Sequence, residues 1–147
     1  MQEGKNLSKQ RTDEGSRIYR SEAIWFEPSK GTISARTNAE FLNEVVGTKY
    51  KQWYKSGYKL SSNTLIWMVR IDNKIRQGWK NVWIDDDTIL ERFEGGNYSL
   101  STDVKEPYRI VVEIQEDSTG RKYKIRGLFK CVMDETTSTK HLWKREI

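Results

Sequence analysis

Residues 121–133 read RKYKIRGLFKCVM, and apolar and basic side chains alternate along most of this run. Its odd-numbered positions carry an apolar stripe made of Tyr123, Ile125, Phe129, Cys131 and Met133. Its even-numbered positions carry the basic residues Lys122, Lys124, Arg126 and Lys130. Because successive strand side chains point to opposite faces of a sheet, the pattern predicts a half-buried strand with one cationic face. Gly127 interrupts the apolar stripe, which predicts a bulge or bend at that position.

The length and composition of the chain predict one folded core. The chain has 147 residues, the size of an ordinary single domain. Only 35% of it is hydrophobic, so the core must draw on the six Trp, seven Tyr and four Phe. This aromatic content is too high for a disordered chain. We expect residues 1–16, which are mostly polar, to form a flexible arm and residues 17–147 to form a single globular domain.

Charge and cysteine usage narrow the range of partners and compartments. The net charge of +5 and the pI of about 9.3 suit a polyanionic partner. Cys131 is the single cysteine, so neither a disulfide framework nor a cysteine-based zinc site can be built. No run approaches the ~20 apolar residues that a membrane-spanning helix needs. We therefore expect a cytoplasmic protein with no metal and no cofactor.

Two short helices are predicted in the N-terminal half. Thr37 and Glu40 stand at capping-box spacing and Gly47 could end the helix, which predicts a helix over residues 38–46. A second helix is predicted over residues 48–59. Three aromatic residues would share one of its faces, namely Tyr50, Trp53 and Tyr54.

The remaining pattern is typical of strands. We predict strands at residues 64–71, 77–84, 108–115 and 140–147, and a loop at residues 97–107. Residues 88–93 fit either a strand or a helical turn. The predicted fold class is α+β, with a mostly antiparallel sheet that is strongly curved or forms a small open barrel.

Two basic clusters are candidates for contacts with nucleic acid. Lys122, Lys124, Arg126 and Lys130 would lay positive charge along ~20 Å of one strand face, although lysines on a strand also discourage edge pairing. In the predicted second helix, Trp53 and Tyr54 could stack on bases while nearby lysines bind phosphates. Those lysines are Lys49, Lys51 and Lys55. The alternative is that the aromatic residues face the core.

Acidic residues and the single histidine offer little catalytic chemistry. Asp85, Asp86 and Asp87, followed by Glu91 and Glu94, could feed a divalent metal, but adjacent strand residues point to opposite faces. Acidic residues at the start of a helix explain this run better. His141 is the only histidine and has basic sequence neighbours, which favours a place on a basic surface.

The closing segments resemble a known group of domains. Residues 127–131 (GLFKC) and 142–145 (LWKR) are similar to the last strands of PUA-like domains, which include SRA modified-base readers and specificity domains of restriction systems. The resemblance implies a curved β-barrel with a nucleic-acid face. It also implies an aromatic-lined pocket for an extruded base. Four residues could line such a pocket, namely Trp25, Trp67, Trp79 and Trp83.

These observations favour a nucleic-acid-binding module, with DNA preferred over RNA. It would serve as a modified-base or specificity domain of a restriction or defence system. One alternative is a phage- or defence-associated protein that binds another protein through exposed aromatic residues. A second alternative is a metal-dependent nuclease that uses residues 85–87, Glu113 or His141.

Overall fold

The computed structural model describes residues 31–95 and 105–147, and this part of the chain is built mainly from β-strands. The strands are β1 (Ile33–Ser34), β2 (Gly57–Lys59), β3 (Thr64–Val69), β4 (Ile75–Arg76), β5 (Trp79–Asp85), β6 (Thr88–Phe93), β7 (Tyr108–Asp117), β8 (Gly120–Cys131) and β9 (Lys140–Arg145). Helix α1 spans Asn38–Val45, and a short 3-10 helix spans Met133–Glu135.

All nine strands belong to one sheet with the order β2-β3-β7-β8-β9-β6-β5-β4, and β1 pairs with β8. The pairing of β3 with β7 is parallel, whereas the other pairings are antiparallel, as the predicted fold class requires. Strands β3 and β5 are far apart in this order, yet residues of both line one cleft. The sheet therefore curls on itself without closing, and the cleft lies in the opening.

Helix α1 begins where the sequence predicts. The Thr37 hydroxyl accepts a hydrogen bond of 3.1 Å from the backbone N–H of Glu40. The Glu40 carboxylate accepts from the backbone N–H of Arg36 at 3.0 Å, one residue before the expected Thr37 amide. Gly47 follows the helix with a φ of 90°, which an L side chain rarely adopts. The prediction of this helix is confirmed.

The predicted second helix is wrong, because residues 48–56 form an irregular segment that leads into β2. The Asn43 side chain fixes this segment, since it donates to the Tyr50 carbonyl at 2.8 Å and accepts from the Tyr50 N–H at 2.9 Å. Trp53 packs on Tyr50 and Tyr58 at centroid distances of 4.8 and 5.5 Å. The aromatic residues thus cluster through this tether and through contact with β2, not through helical spacing.

A bulge at Gly127 divides the β8 stripe between two cores. Gly127 has a φ of 120°, and the β7–β8 register shifts between Val111 and Val112. Tyr123 and Ile125 belong to a first core that includes α1, whereas Phe129 and Cys131 belong to a second core on the other face of the sheet. The predicted bulge is confirmed. A single apolar face along the whole strand is wrong, because the extra residue at the bulge reverses the alternation.

For residues 85–93 the structure has the strand alternative and not the helical one. Residues 88–93 form strand β6, Asp85 ends β5, and residues 86–87 form the turn between the two strands, so the acidic residues do not start a helix. The predicted arm and most of the predicted 97–107 loop lie outside the described residues. Within the described residues, no helix has the length and apolar character needed to cross a membrane.

Candidate functional site

A cleft of about 520 Å³ occupies the opening between β3 and β5. Its volume lies within the ~300–1,000 Å³ range of small-ligand sites. Trp67 contributes to one side from β3, and Trp79 and Asn81 contribute to the other side from β5. Glu91 and Arg109 also line the cleft, and Tyr54 stands at its edge with 84% of its surface exposed. The curled sheet therefore brings aromatic and charged side chains around one small space.

A row of three polar residues crosses neighbouring strands beside this cleft. Asn81 of β5 is the Cα partner of Glu91 in β6, and Glu91 is in turn the partner of His141 in β9. Residues paired in this way project their side chains to the same face. This face holds the second core, because Ile89 of β6 and Trp143 of β9 belong to that core. An amide, a carboxylate and an imidazole are thus aligned on the face of the sheet that holds the second core.

Glu91 is buried but has three donors around a single oxygen. Its Oε1 accepts hydrogen bonds from Trp143 Nε1 at 3.0 Å and Arg109 Nη1 at 3.2 Å, and His141 Nδ1 lies 3.3 Å away. Burial alone would raise the pKa of Glu91, but the charge of Arg109, the nearby His141 imidazole and the hydrogen bond from Trp143 outweigh it and hold the pKa at about 2. The side chain is therefore an ionised carboxylate. Its Oε2 has no hydrogen bond from any other described residue.

Arg109 is held between two tryptophan rings. Its guanidinium carbon lies 4.4 Å from the ring centroid of Trp67 and 4.0 Å from that of Trp143. Cations are attracted to the faces of indole rings, most strongly where water is excluded. The arrangement keeps the cation beside Glu91. Only 15% of the Arg109 side chain is exposed, so the two rings replace much of its contact with water.

The other side of the cleft is braced by a phenylalanine. The Trp79 and Phe93 rings meet edge to face at 5.3 Å. Gly78 and Gly95 pack closely against the Phe93 ring, where a Cβ on either would come within 2.5 Å of a ring carbon. Further along β5, the buried Oδ1 of Asn81 has no hydrogen-bond partner among the described residues. A buried amide without a partner is costly unless it serves a ligand.

Basic side chains also line the cleft, and most are paired with acidic residues. They are Arg70, Lys74, Arg76 and Arg121. Arg70 and Arg121 both contact Glu116, and Arg76 holds Asp72 in a two-pronged pair with distances of 2.7 and 2.6 Å. These pairs hold the guanidinium groups in place.

The predicted basic strand is divided by the Gly127 bulge. The β7–β8 register places Lys122 and Lys124 on the face of the second core, whereas Lys130 pairs with Tyr108 on the opposite face. Arg126 forms a part-buried pair with Glu113 at 2.6 Å and lies over the Trp83 ring at 5.4 Å. The prediction that these four basic residues share one strand face is therefore wrong. Lys122 and Lys124 are half-buried and Lys130 is exposed.

The other predicted site residues fall in three places. Lys49, Lys51 and Lys55 are exposed in the 48–56 segment. Trp53 packs against the first core, as the core interpretation of the aromatic cluster expects, whereas Tyr54 points away from that core and lines the cleft. His141 is buried beside Glu91, so its expected place on a basic surface is wrong. It faces inward because Trp143, two residues later on the same strand, does so.

The acidic residues proposed for a nuclease are engaged in separate contacts. Glu113 binds Arg126, His141 contacts Glu91, and Asp85 accepts a hydrogen bond from the backbone of Asp87 at 2.8 Å. Within residues 31–95 and 105–147, no three His, Cys, Asp or Glu side chains gather as metal ligands would.

Among the pocket residues suggested by the resemblance, Trp67 and Trp79 line the cleft and Trp83 packs against the second core. Trp25 lies outside the described residues. Among the described residues, the exposed aromatic side chains are Tyr50 and Tyr54, and no tryptophan is one of them. A patch of exposed Trp and Tyr, which protein binding through aromatic residues would require, is therefore absent from this part of the chain.

Sequence reasoning missed Asn81 and Arg109, and it assigned Glu91 to an acidic run. One signal was available: Arg109 and Glu113 alternate with Ile110 and Val112, so they share a strand face with the buried Val111. A charged residue on such a face needs a partner. The sequence offers no local sign that the partner is Glu91.

The comparisons with known proteins agree with this geometry. Residues 28–146 match the family model of the SRA domain, described as the SET and RING associated domain. The structure is similar to that of the 5-hydroxymethylcytosine-specific restriction enzyme AbaSI, with a TM-score of 0.56 and 20% sequence identity. That match covers 95% of this chain and 46% of the enzyme, so the chain spans about half of the enzyme's length. No curated protein matches the sequence significantly.

The family match covers far more of the chain than the closing segments on which the resemblance was based. It confirms that resemblance and, with it, the prediction of a DNA-binding module. The resemblance implied a curved β-barrel, and the sheet is consistent with that type of fold although it does not close into a barrel. The chain belongs to the SRA domain family.

Proposed function

We propose that this chain recognises a modified cytosine that has been extruded from duplex DNA into the cleft between β3 and β5. The observation that carries the proposal is the pairing of Asn81 with Glu91 beside Trp79. It places a hydrogen-bonding amide and an ionised carboxylate next to an aromatic ring. Enzymes and readers that act on a flipped base use this combination of ring stacking and contacts to the base edge.

The chemistry of the row suits cytosine better than the other pyrimidines. Cytosine presents an N4 amino donor next to the N3 acceptor, and carboxylates accept from that amino group. Glu91 Oε2 is an acceptor without another described donor, and the buried Oδ1 of Asn81, which has no partner among the described residues, can accept the second hydrogen of the N4 amino group. Uracil and thymine present an O4 acceptor in place of the amino group, and an ionised carboxylate would repel it.

The modification itself is carried over from the similar enzyme. That enzyme is specific for 5-hydroxymethylcytosine, as its name says, and this chain is similar to it in fold over 95% of the chain length. We take that base as the first candidate ligand and recognition within a restriction system as the biological role. We assign recognition of the base to the residues that line the cleft.

The DNA backbone would be held by the basic residues around the cleft. Lys74 and Arg76 line it from β4 and the turn before β4, and Lys122 and Lys124 share the sheet face of the second core. Contacts with phosphates would position the duplex without reading its sequence. Lys49, Lys51 and Lys55 extend this surface next to Tyr54, which would stack at the cleft edge.

Fluorescence anisotropy with three matched duplexes tests the proposal. They carry cytosine, 5-hydroxymethylcytosine or 5-hydroxymethyluracil at one central position. We expect the 5-hydroxymethylcytosine duplex to bind at least about tenfold more tightly than the 5-hydroxymethyluracil duplex, given ~1–3 kcal/mol for a well-formed base contact, and more tightly than the cytosine duplex. Equal affinities for all three duplexes would overturn the proposal.

Two variants assign that discrimination to the cleft. Glu91→Gln should lose the preference for 5-hydroxymethylcytosine over 5-hydroxymethyluracil, because an amide can donate to O4 as well as accept from N4. Glu44→Gln makes the same chemical change on the exposed side of α1 and should leave the preference intact. An unchanged preference in Glu91→Gln would place the reading residue elsewhere.

A further inference from the structure

We propose that Arg109 is a positioning residue for base recognition: held between Trp67 and Trp143, it keeps Glu91 charged and keeps Oε2 available to the base. This inference rests on the proposed function and adds a requirement to it. Discrimination at the cleft would depend on a cation that acts through the carboxylate.

The guanidinium of Arg109 is buried and stacked between two rings. Arg109 extends from β7, and only 15% of its side chain is exposed. Ring centroids lie 4.4 Å from its guanidinium carbon on the Trp67 side and 4.0 Å from it on the Trp143 side. A guanidinium stays protonated at every physiological pH and tolerates stacking better than an ammonium group. The position therefore carries a permanent charge that has little freedom to move.

The hydrogen bonds to Glu91 all reach the same carboxylate oxygen. Arg109 Nη1 and Trp143 Nε1 both donate to Oε1 of Glu91, at 3.2 and 3.0 Å. Trp143 thus contacts both members of the ion pair, since it packs on the cation and binds the anion. Because these donors use one oxygen, the carboxylate has a fixed orientation, and its second oxygen remains for a ligand in the cleft.

Removal of the Arg109 cation would change the protonation of Glu91. A buried carboxylate that loses its opposite charge favours its protonated form. A protonated Glu91 presents a hydroxyl donor as well as a carbonyl acceptor, so it could bind O4 of uracil as readily as N4 of cytosine. Removal of Arg109 should therefore make discrimination depend on pH in a range where the parent protein shows no such dependence.

The other groups around Glu91 must be separated from this effect. His141 of β9 is the titratable neighbour at 3.3 Å. The other side chains near Glu91 are Asn81 of β5, Trp67 of β3 and Trp143 of β9, and these three side chains are neutral. His141 can itself change charge between pH 5 and 8. A variant that removes the carboxylate but keeps His141 distinguishes the two titrations.

The experiment measures the ratio of affinities for the 5-hydroxymethylcytosine and 5-hydroxymethyluracil duplexes from pH 5.5 to 8.5. The ratio cancels pH effects on phosphate binding. We expect a constant ratio in the parent. In Arg109→Met the ratio should fall by up to about tenfold per pH unit below the raised pKa of Glu91, as one linked proton requires. Arg109→Lys keeps the charge and should restore most of the constant ratio.

The remaining outcomes separate Glu91 from His141 and separate this inference from the proposed function. In the double variant Arg109→Met with Glu91→Gln, the ratio should no longer vary with pH, and persistent variation would identify His141 as the titrating group. A ratio that is lowered equally at every pH in Arg109→Met would mean that Arg109 contacts the base directly. A parent that does not prefer 5-hydroxymethylcytosine contradicts the proposed function itself, whereas a parent with that preference and a constant ratio in Arg109→Met contradicts this inference alone.

A measurement on the parent protein covers the case in which Arg109→Met does not fold. Carbon-13 NMR of the glutamate carboxyl groups should show Glu91 ionised throughout pH 5 to 8, both in the parent and in Arg109→Lys. Titration of Glu91 within that range in the parent would show that the cation does not maintain its charge, and the inference would fail.

Discussion

Asn81 and Glu91 are direct Cα partners across β5 and β6, so an amide and a carboxylate leave the sheet side by side at the cleft. The carboxylate is fixed by Arg109 and Trp143, whereas the amide oxygen is buried without a partner among the described residues. One member of the pair is therefore already supported by the protein, and the other is available to a ligand.

Asn81→Ala should weaken binding without weakening the fold. Loss of one base contact is expected to reduce affinity for the 5-hydroxymethylcytosine duplex by roughly tenfold. Removal of a buried acceptor that lacks a partner should leave stability unchanged or slightly higher. Anisotropy and urea unfolding measure the two effects, with the exposed Gln115→Ala as the control for loss of an amide. A large loss of stability with normal affinity would make Asn81 a structural residue.

Tyr54→Ala and Trp53→Ala should have opposite effects although the residues are adjacent. Trp53 packs against the first core, and its truncation should cost ~2–4 kcal/mol of stability with little change in affinity for DNA. Tyr54 is 84% exposed at the cleft, so its truncation should change stability by less than ~0.5 kcal/mol and weaken binding. Thermal unfolding and anisotropy on the same samples test both expectations, and equal affinity losses would contradict them.

Lys122→Ser combined with Lys124→Ser should weaken binding to all duplexes about equally. Phosphate contacts do not depend on sequence, and the loss of two of them should reduce the slope of log affinity against log salt by about 2. Lys130→Ser is the matched control, because Lys130 lies on the opposite face of the sheet. Arg126 is kept, since its removal would leave the buried Glu113 without its partner. A slope that changes as much in the control as in the double variant would argue against this phosphate path.

Glu91 should make the fold sensitive to acid. Its pKa in the folded protein is about 2, below the ~4.3 of an unfolded glutamate. A lowered pKa contributes stability that is complete above pH ~4.3 and is lost as the pH falls towards 2. Urea unfolding at pH 6 and pH 3 should therefore show a smaller decline in Glu91→Gln than in the parent.

Asp72→Asn is the control for that acid effect. A hydrogen bond from Arg76 lowers the pKa of Asp72 to about 2 as well, but this pair is on the surface and is screened by solvent. The decline in Asp72→Asn should stay close to that of the parent. An equal decline in Glu91→Gln and the parent would show that the buried carboxylate does not govern the acid response.

Local patterns in the sequence predicted the parts of the fold that local physics determines. The Thr37 cap, the alternation in β8 and the special position of Gly127 each depend on a few neighbouring residues, and the structure contains all three. Residues 48–59 misled the same reasoning, because aromatic spacing suits a helix while the tether to Asn43 is invisible in the pattern. The placement of the four basic residues of β8 on one face was also predicted wrongly. A bulge can be expected at a glycine, but its effect on the direction of later side chains depends on the register with β7.

The site was harder to predict than the fold. Arg109 and Glu91 are on strands separated in the sheet by β8 and β9, so their contact depends on the whole strand order. Asn81 has no distinguishing neighbour in the sequence, and its role emerges only from its pairing with Glu91 and its empty hydrogen-bonding position. The aromatic pocket was anticipated through the resemblance alone, which suggested Trp67 and Trp79 among four tryptophans.

The position of the modified base in a complex with DNA distinguishes recognition of an extruded base from binding of the intact duplex. A crystal structure of the chain with a duplex that contains one 5-hydroxymethylcytosine would locate it. We predict that the base is extruded, lies beside Trp79, and donates hydrogen bonds of ~2.7–3.2 Å from its N4 amino group to Asn81 Oδ1 and Glu91 Oε2. A base that remains stacked in the duplex, or that occupies another site on the protein, would contradict the account.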